Sequence, residues 1–271
     1  MAPVTAATYP RAMTENIDDT LVGIWFDGWS RSRGYETKQE GPVRAALRLK
    51  RSARRIPGGS GRATLDIPQA WENVLVRPTQ DDLAPVLSQV EEHPDQLVTV
   101  FGETDADLSG AGLHSATEPE RFMTVDLDPE VQDVEPPILP EGYEARVDEP
   151  LSGSRRLRIY ATGASTAPES EEELAAMGWV TFEDTTAVFD RIWTSPNHRR
   201  RGLGSLVMRH LTSEAMSADD FTQGLLVASP DGQKLYGSLG WTDLGPVSVW
   251  TRAADDAEDP TEAEHTGTVG R

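Results

Sequence analysis

Apolar residues recur along this chain with two periods, and the switch between them is clearest in the second half. Residues 187–194, Ala-Val-Phe-Asp-Arg-Ile-Trp-Thr, are rich in β-branched and aromatic types and predict a strand. Pro196-Asn197 ends it, because proline gives no donor to a sheet ladder and asparagine favours turns. Leu203, Leu206, Val207 and Leu211 then recur at i, i+3, i+4 and i+8. That spacing is one face of a helix, opening at the run Arg199-Arg200-Arg201-Gly202-Leu203-Gly204. Residues 224–228 predict a further strand. Upstream, residues 143–147, 155–160 and 177–182 predict strands, the last entering residues 187–194 through the turn Glu183-Asp184-Thr185.

The first half has a similar rhythm. Ile17, Leu21, Ile24, Trp25 and Phe26 mark an amphipathic helix from an Asn16 cap to about Ser30, with Asp19 three residues after the cap. Trp25 and Trp29 lie four apart on it, as core packing or as a pocket wall. Residues 73–77, 96–101 and 121–127 predict strands. Residues 81–93 predict a helix with Leu83, Val86, Leu87 and Val90 on one side and Pro85 tolerated in its first turns. A short helix is expected over 108–114. Arg44, Arg48, Arg51 and Arg55 would share one helical face, either solvated among acidic neighbours or a docking patch for an acidic partner or a phosphate such as the 3′-phosphate of coenzyme A.

The order strand, helix, strand, helix, strand over 70–128 repeats that over 187–251. The first copy lacks the glycines: its turn is Thr79-Gln80-Asp81-Asp82, whose carboxylates would repel a phosphate. Residues 128–140 are acidic and proline-rich and read as an extended linker. Residues 1–15 are expected to be loose, and 254–271 read as a disordered acidic tail. The division is thus 1–127, an accessory or degenerate repeat; 128–140, the linker; 141–253, the second domain; and 254–271.

Composition narrows the chemistry. At 271 residues the chain has ample length for a core. Its formal net charge is −20, which disfavours generic binding to nucleic acid or an anionic membrane. With no cysteine there is no disulfide framework, thiolate metal site or cysteine nucleophile, and no metal is expected. No signal peptide and no membrane-spanning stretch is expected, so the expected location is cytoplasmic.

A strand, a glycine-rich turn and a helix N-terminus together make an anion site. The first N–H groups of a helix have no internal partner and carry partial positive charge. Gly202 and Gly204 let a diphosphate approach the main chain, and Arg199, Arg200 and Arg201 add forked donors. The turn is too short for a Walker A loop and has the wrong glycine spacing for a dinucleotide fingerprint.

Arg199-x-x-Gly202-x-Gly204 after a strand resembles the pyrophosphate loop of the GNAT superfamily of acyl-CoA-dependent N-acetyltransferases. Gly224-Leu225-Leu226-Val227-Ala228 resembles that family's next strand. Leu235-Tyr236-Gly237-Ser238-Leu239-Gly240-Trp241 resembles its Tyr-x-x-x-Gly-aromatic ending. The resemblance covers about residues 175–250 and says little of 1–138. It implies an α/β (α+β) fold: a mixed, mostly antiparallel twisted sheet flanked by helices. The two long helices that follow the family's first strand have no counterpart between 147 and 155, so the first half is expected to supply that wall.

The resemblance also implies acetyl-CoA as cosubstrate. Backbone groups of Ile192, Trp193 and Thr194 would pair with its pantetheine arm, and Arg199, Arg200, Arg201, Gly202, Leu203, Gly204 and Ser205 would hold its pyrophosphate. Ser229 stands where the family often has a cofactor-contacting asparagine. Tyr236 matches the family's general acid, against a packing role at a helix end. Asp190 is a candidate base or a structural charge pair with Arg191; Glu183 is the other carboxylate, and ordered water serves in many relatives. His198 is expected on the surface. The acceptor would be a small amine or a protein amino group, and a homodimer is compatible with the sequence. The competing reading is a non-catalytic acyl-CoA-binding or interaction module that retains the fold.

Overall fold

The computed structural model describes residues 17–49, 69–128, 135–162, 173–218 and 221–252. The expected loose start, residues 129–134 of the linker and the acidic tail lie outside them, as do Asn16, Arg51 and Arg55. The elements are α1 (Asp19–Arg33), β1 (Glu36–Glu40), β2 (Val43–Leu49), β3 (Gln69–Val76), α2 (Gln80–Glu92), β4 (Leu97–Phe101), β5 (His114–Ser115), β6 (Glu120–Asp126), β7 (Tyr143–Asp148), β8 (Ser154–Ala161), β9 (Glu173–Glu183), β10 (Thr186–Thr194), α3 (Leu203–Ala218), β11 (Gln223–Ala228), α4 (Pro230–Ser238) and β12 (Thr242–Thr251), with a 3₁₀ turn at Pro196–His198.

The fold is mixed α/β, with helices on a mostly antiparallel sheet. The strand order is β1-β2-β3-β4-β12-β6-β11-β10-β9-β8-β7, with β5 beside β12. Two pairings among the described residues are parallel, β3 with β4 and β10 with β11, and each encloses a helix. The middle of the sheet is exchanged between the two halves. β12 lies between β4 and β6, and β6 lies between β12 and β11. Apart from the outermost strand β7, the order is therefore two-fold symmetric about the β12–β6 pair. Arg121 and Asp243 tie those two strands together at 2.7 Å.

Adjacent residues of β10 point to opposite faces and open two cores. Phe189 joins Leu203, Val207, Met208 and Leu211 of α3, with Leu157, Ile159, Val180 and Trp241. Val188 joins Trp25, Phe26 and Trp29 of α1, with Phe101, Phe122 and Leu225. α1 and α3 thus cover opposite faces of the same strands. Trp25 and Trp29 stack at 5.3 Å, and Trp25 meets Phe101 at 4.9 Å, so both are core residues. A third cluster, Leu83, Val86 and Val90 with Val98 and Val100, seats α2.

Three expectations need correction. α1 begins at Asp19 with Asp18 as its cap, the carboxylate accepting from Thr20 N at 2.6 Å, and it runs on to Gly34 in a left-handed cap at φ +66°. Residues 36–49 form a hairpin in place of the expected arginine-faced helix. A spacing of four keeps residues on one face of a strand as well as a helix, so Arg44 and Arg48 still align. Arg44 pairs with Asp19 at 2.8 Å and Arg48 with Glu72 at 3.3 Å. Residues 108–113 are turns and not a helix. Asp107 caps Gly110 N at 2.7 Å, and Gly112 sits at φ +79°.

A tight seam of this packing is at Gly28 on α1, where an added Cβ would lie 2.6 Å from Val188 Cγ2. Both atoms are in the core, so neither helix nor strand can yield freely. Gly28→Val should cost about 1–3 kcal/mol by overpacking, read as a lower urea midpoint with an unchanged slope. An unchanged midpoint would show that α1 does not seat on β10.

Candidate active site

The site begins with a failure of pairing. β10 has nine residues. It pairs with β11 only at Thr186↔Gln223, Ala187↔Gly224 and Val188↔Leu225. Both strands continue, yet beyond this point β11 pairs only with β6. The pairing of β10 with β9 is itself broken by a register shift between Asp190 and Trp193, a bulge in which Arg191 takes φ +55°. The two parallel strands part there. Past Val188 the edge of β10, over Ile192 to Thr194, is not paired with β11.

α3 starts at the mouth of that opening. Its first internal bond runs from Leu206 N to Gly202 O at 3.1 Å. The N–H groups of Leu203, Gly204 and Ser205 lie before that bond, and no side chain among the described residues accepts from them. The first turn holds no acid. The other three helices carry side-chain caps, from Asp18, Thr79 and Ser229. Gly202 takes φ +77° with open space where a Cβ would be, and Arg200 takes φ +60°. Arg199, Arg200 and Arg201 are exposed. Arg199 Nε donates to Thr194 O at 3.4 Å, and Arg201 Nη1 donates to Tyr143 Oη at 3.0 Å. Tyr143 Oη in turn lies 3.0 Å from Nδ1 of His198, whose Nε2 is 3.1 Å from Glu173 Oε1. His198 is 7% exposed, so it is a buried brace under the loop and not a surface residue as expected.

Tyr236 is 7% exposed on α4, with its ring 6.0 Å from Trp241. Burial, together with the nearby Asp190 carboxylate, pushes its pKa well above that of a free phenol. It therefore keeps its proton.

Asp190 is committed elsewhere. Arg33 at the end of α1 grips it with both arms, Nε to Oδ2 at 2.8 Å and Nη2 to Oδ1 at 2.9 Å, and Ser32 Oγ donates to Oδ2 at 3.2 Å. Arg191, the expected partner, stands off at 4.0 Å. Burial alone would raise the Asp190 pKa; the charge and hydrogen bonds of Arg33, with help from Arg191, outweigh it and hold the carboxyl below its ordinary 3.8. A carboxylate so held is a weak base. Glu183 lies at the closed end of β10, paired with Arg31 at 2.9 Å. Ser229 spends its hydroxyl capping α4, accepting from Gly232 N at 3.3 Å. Arg33 and Tyr143 were missed in the sequence: each acts across more than fifty positions and sits in no motif.

Residues 166–243 match the family model of the acetyltransferase (GNAT) domain. The second half of the chain carries a GNAT domain. Across most of its length the chain also shares the fold of a GCN5-related N-acetyltransferase from Kribbella flavida, at 16% identity, covering 88% of this chain and 96% of that one with a TM-score of 0.57. A GCN5-related N-acetyltransferase from Sphaerobacter thermophilus aligns at 12% identity over 77% and 76% of the two chains, TM-score 0.49. A tandem GNAT protein from the clavulanic acid biosynthesis pathway aligns at 15% over 89% and 97%, TM-score 0.47. No curated protein matches the sequence. Among the described residues no helix is long and apolar enough to cross a membrane.

The first half holds the same elements without the opening. β3 and β4 pair from Glu72↔Leu97 to Val76↔Phe101, the last residue of each strand. The N-terminus of α2 is closed by its own capping box, Asp82 accepting from Thr79 N at 2.9 Å and Thr79 Oγ1 accepting from Asp82 N at 3.3 Å.

The Arg33–Asp190 pair sets a pH-dependent prediction. The folded pKa of Asp190 lies below the unfolded value of 3.8, so the pair's contribution is complete above that value and is lost as pH falls through the lower folded one. Arg33→Met strands a buried carboxylate and should cost about 3–5 kcal/mol near pH 7. With burial less opposed, Asp190 then titrates higher. The deficit should therefore shrink as acid supplies the proton. Urea unfolding of both proteins at several pH values reads it, and a small deficit that does not change with pH would show that the pair is solvated.

Proposed function

We propose that this protein is an acetyl-CoA-dependent N-acetyltransferase with one cosubstrate site per chain, in the second half. The observation that carries this reading is the parting of β10 and β11 beside the uncapped start of α3. An extended, hydrogen-bonding chain with an anionic end fits such a place: the edge of β10 supplies strand-like partners, and the helix N-terminus supplies N–H groups and positive potential. The fit is chemical as well as geometric, since the loop presents Arg199, Arg200 and Arg201 and no carboxylate.

In this reading backbone groups of Ile192, Trp193 and Thr194 align the pantetheine arm, and residues 199–205 hold the diphosphate. A backbone N–H of β10 polarises the thioester carbonyl. The acceptor nitrogen attacks that carbonyl, the C–N bond forms and the C–S bond breaks. Tyr236 gives its phenolic proton to the departing thiolate and regains one from solvent. The amine's proton leaves to water, because Asp190 at the opening is spent on Arg33. The first half contributes α1, which covers the face of β9 and β10 opposite α3 as a wall of the site. The closed β3–β4 pair and the capped, acidic start of α2 give that half no counterpart site.

Gly202→Glu should abolish acetyl-CoA binding and leave the melting temperature within a few degrees. Its carboxylate opposes the diphosphate at the helix start, and a side chain at φ +77° narrows the approach. Calorimetry on the wild type should show one site per chain. Unchanged affinity in the variant would remove the loop from the site.

Tyr236→Phe keeps the ring and its packing and removes the proton. Turnover should fall by about 10²–10⁴-fold, with acetyl-CoA affinity unaltered. Near-normal turnover, where chemistry limits the rate, would make Tyr236 a packing residue.

A further inference from the structure

The bulge in β10 turns Arg191 onto the α1 face of the sheet, where its guanidinium lies 5.0 Å from the centre of the Trp179 ring. Its Nε is buried without a hydrogen bond, and Asp190, 4.0 Å off, is already taken by Arg33 and Ser32. Trp179 is 6% exposed, and its Nε1 is also buried without a partner. Arg158 on β8 repeats the pattern: Nε is unpartnered and Nη2 reaches Asp148 only at 3.4 Å. Arg156 lies 5.2 Å from the same Trp179 ring and is held by Asp148. Arg156 and Arg191 lie on this ring, and with Arg158 and Arg33 they share two aspartates, Asp148 and Asp190. In a chain of net charge −20 this patch is locally positive.

Buried donors without acceptors are costly, and a left-handed arginine adds strain. Both costs fall at the parting of β10 and β11, next to the carboxylate that lies close enough to Tyr236 to raise its pKa. The patch also lies on the face opposite α3, so a ligand here would not compete with one at the helix start. The Arg191 side chain as a whole is 19% exposed, so part of its guanidinium remains within reach of a ligand. A guanidinium already stacked on an indole presents its remaining N–H groups as a planar fork, the shape that a carboxylate fills with two hydrogen bonds.

Resting on the acetyltransferase reading, we propose that the acceptor is an amino-carboxylic acid whose carboxylate is bound by Arg191, seated on Trp179. The amine of such a molecule is then turned toward the opening, while neutral amines lack the anchor.

The test pairs amino acids having the amine α, β or γ to the carboxylate with their carboxamides, and adds phosphoethanolamine as a phosphate-bearing amine. Acetyl transfer is followed by release of the coenzyme A thiol, and acetyl-CoA affinity is measured separately by calorimetry. At least one amino acid should exceed its carboxamide about tenfold or more in kcat/KM, the discrimination expected of a hydrogen-bonded charge. Arg191→Gln should bring that ratio toward one by raising KM for the acid, with acetyl-CoA affinity and melting temperature kept; Arg191→Lys should restore part of it. Equal use of acids and carboxamides, a ratio that survives Arg191→Gln, preference for phosphoethanolamine, or no acetylation of any amino acid by protein that binds acetyl-CoA would each overturn the proposal. Failure to bind acetyl-CoA would instead sink the acetyltransferase reading. A rise in melting temperature with an amino acid, lost in Arg191→Gln, would then still report the Arg191 site, and no rise would reject it.

Discussion

β10 and β11 share three residue pairs and then separate, although each strand runs on for several residues more. A buried main-chain group without a partner is costly, so two neighbouring strands part only where something forces them to. Here the force is local. One extra residue in β10 between Asp190 and Trp193 shifts its register against β9, with Arg191 at φ +55°. The remaining features of the candidate site depend on that opening. It leaves the edge of β10 available, it places the bare start of α3 at its mouth, and it sets Asp190 within electrostatic reach of Tyr236.

The opening is held from the α1 side by one ion pair. Arg33 and Asp190 are both largely buried, with side chains 16% and 14% exposed. Such a pair need not exceed a well-packed apolar contact in stability, because two charges must leave water to form it. Its effect is one of position. The last turn of α1 is fixed on β10 beside the bulge, and Trp29 stacks between Trp25 and the Arg33 guanidinium. The same charge pair removes Asp190 from proton transfer. Fixing the helix and serving as a base are incompatible uses of one carboxylate.

Symmetry gives a built-in comparison. β3, α2 and β4 follow the path of β10, α3 and β11, and β12 and β6 change places about a shared axis. Yet β3 stays paired with β4 to its last residue, and Thr79 with Asp82 satisfies the start of α2 from within. One sheet therefore holds an open and a closed version of the same arrangement. They differ by a bulge, two glycines and two aspartates.

Much of this was legible in the sequence because it rests on near neighbours. The i, i+3, i+4 spacing of Leu203, Leu206 and Val207 sets an amphipathic helix wherever it lies. Gly202 permits a turn at φ +77° that other residues strain, and Tyr236 follows in a second local motif, Tyr-x-x-x-Gly-aromatic. Where two periods coincide the pattern is ambiguous, and Arg44 and Arg48, four apart, sit on a strand where a helical face was equally consistent. Asp190 was visible, but its partner was not: Arg33 lies 157 positions away, and a charge pair of that span leaves no periodic trace. The exchange of β6 and β12, the burial of His198 under the arginine loop, and the meeting of Arg191 and Trp179 are likewise products of strand order. Local sequence decides which backbone shapes are cheap. Only the assembled sheet decides which distant charges must share a low-dielectric interior, and so which of them stay free to act.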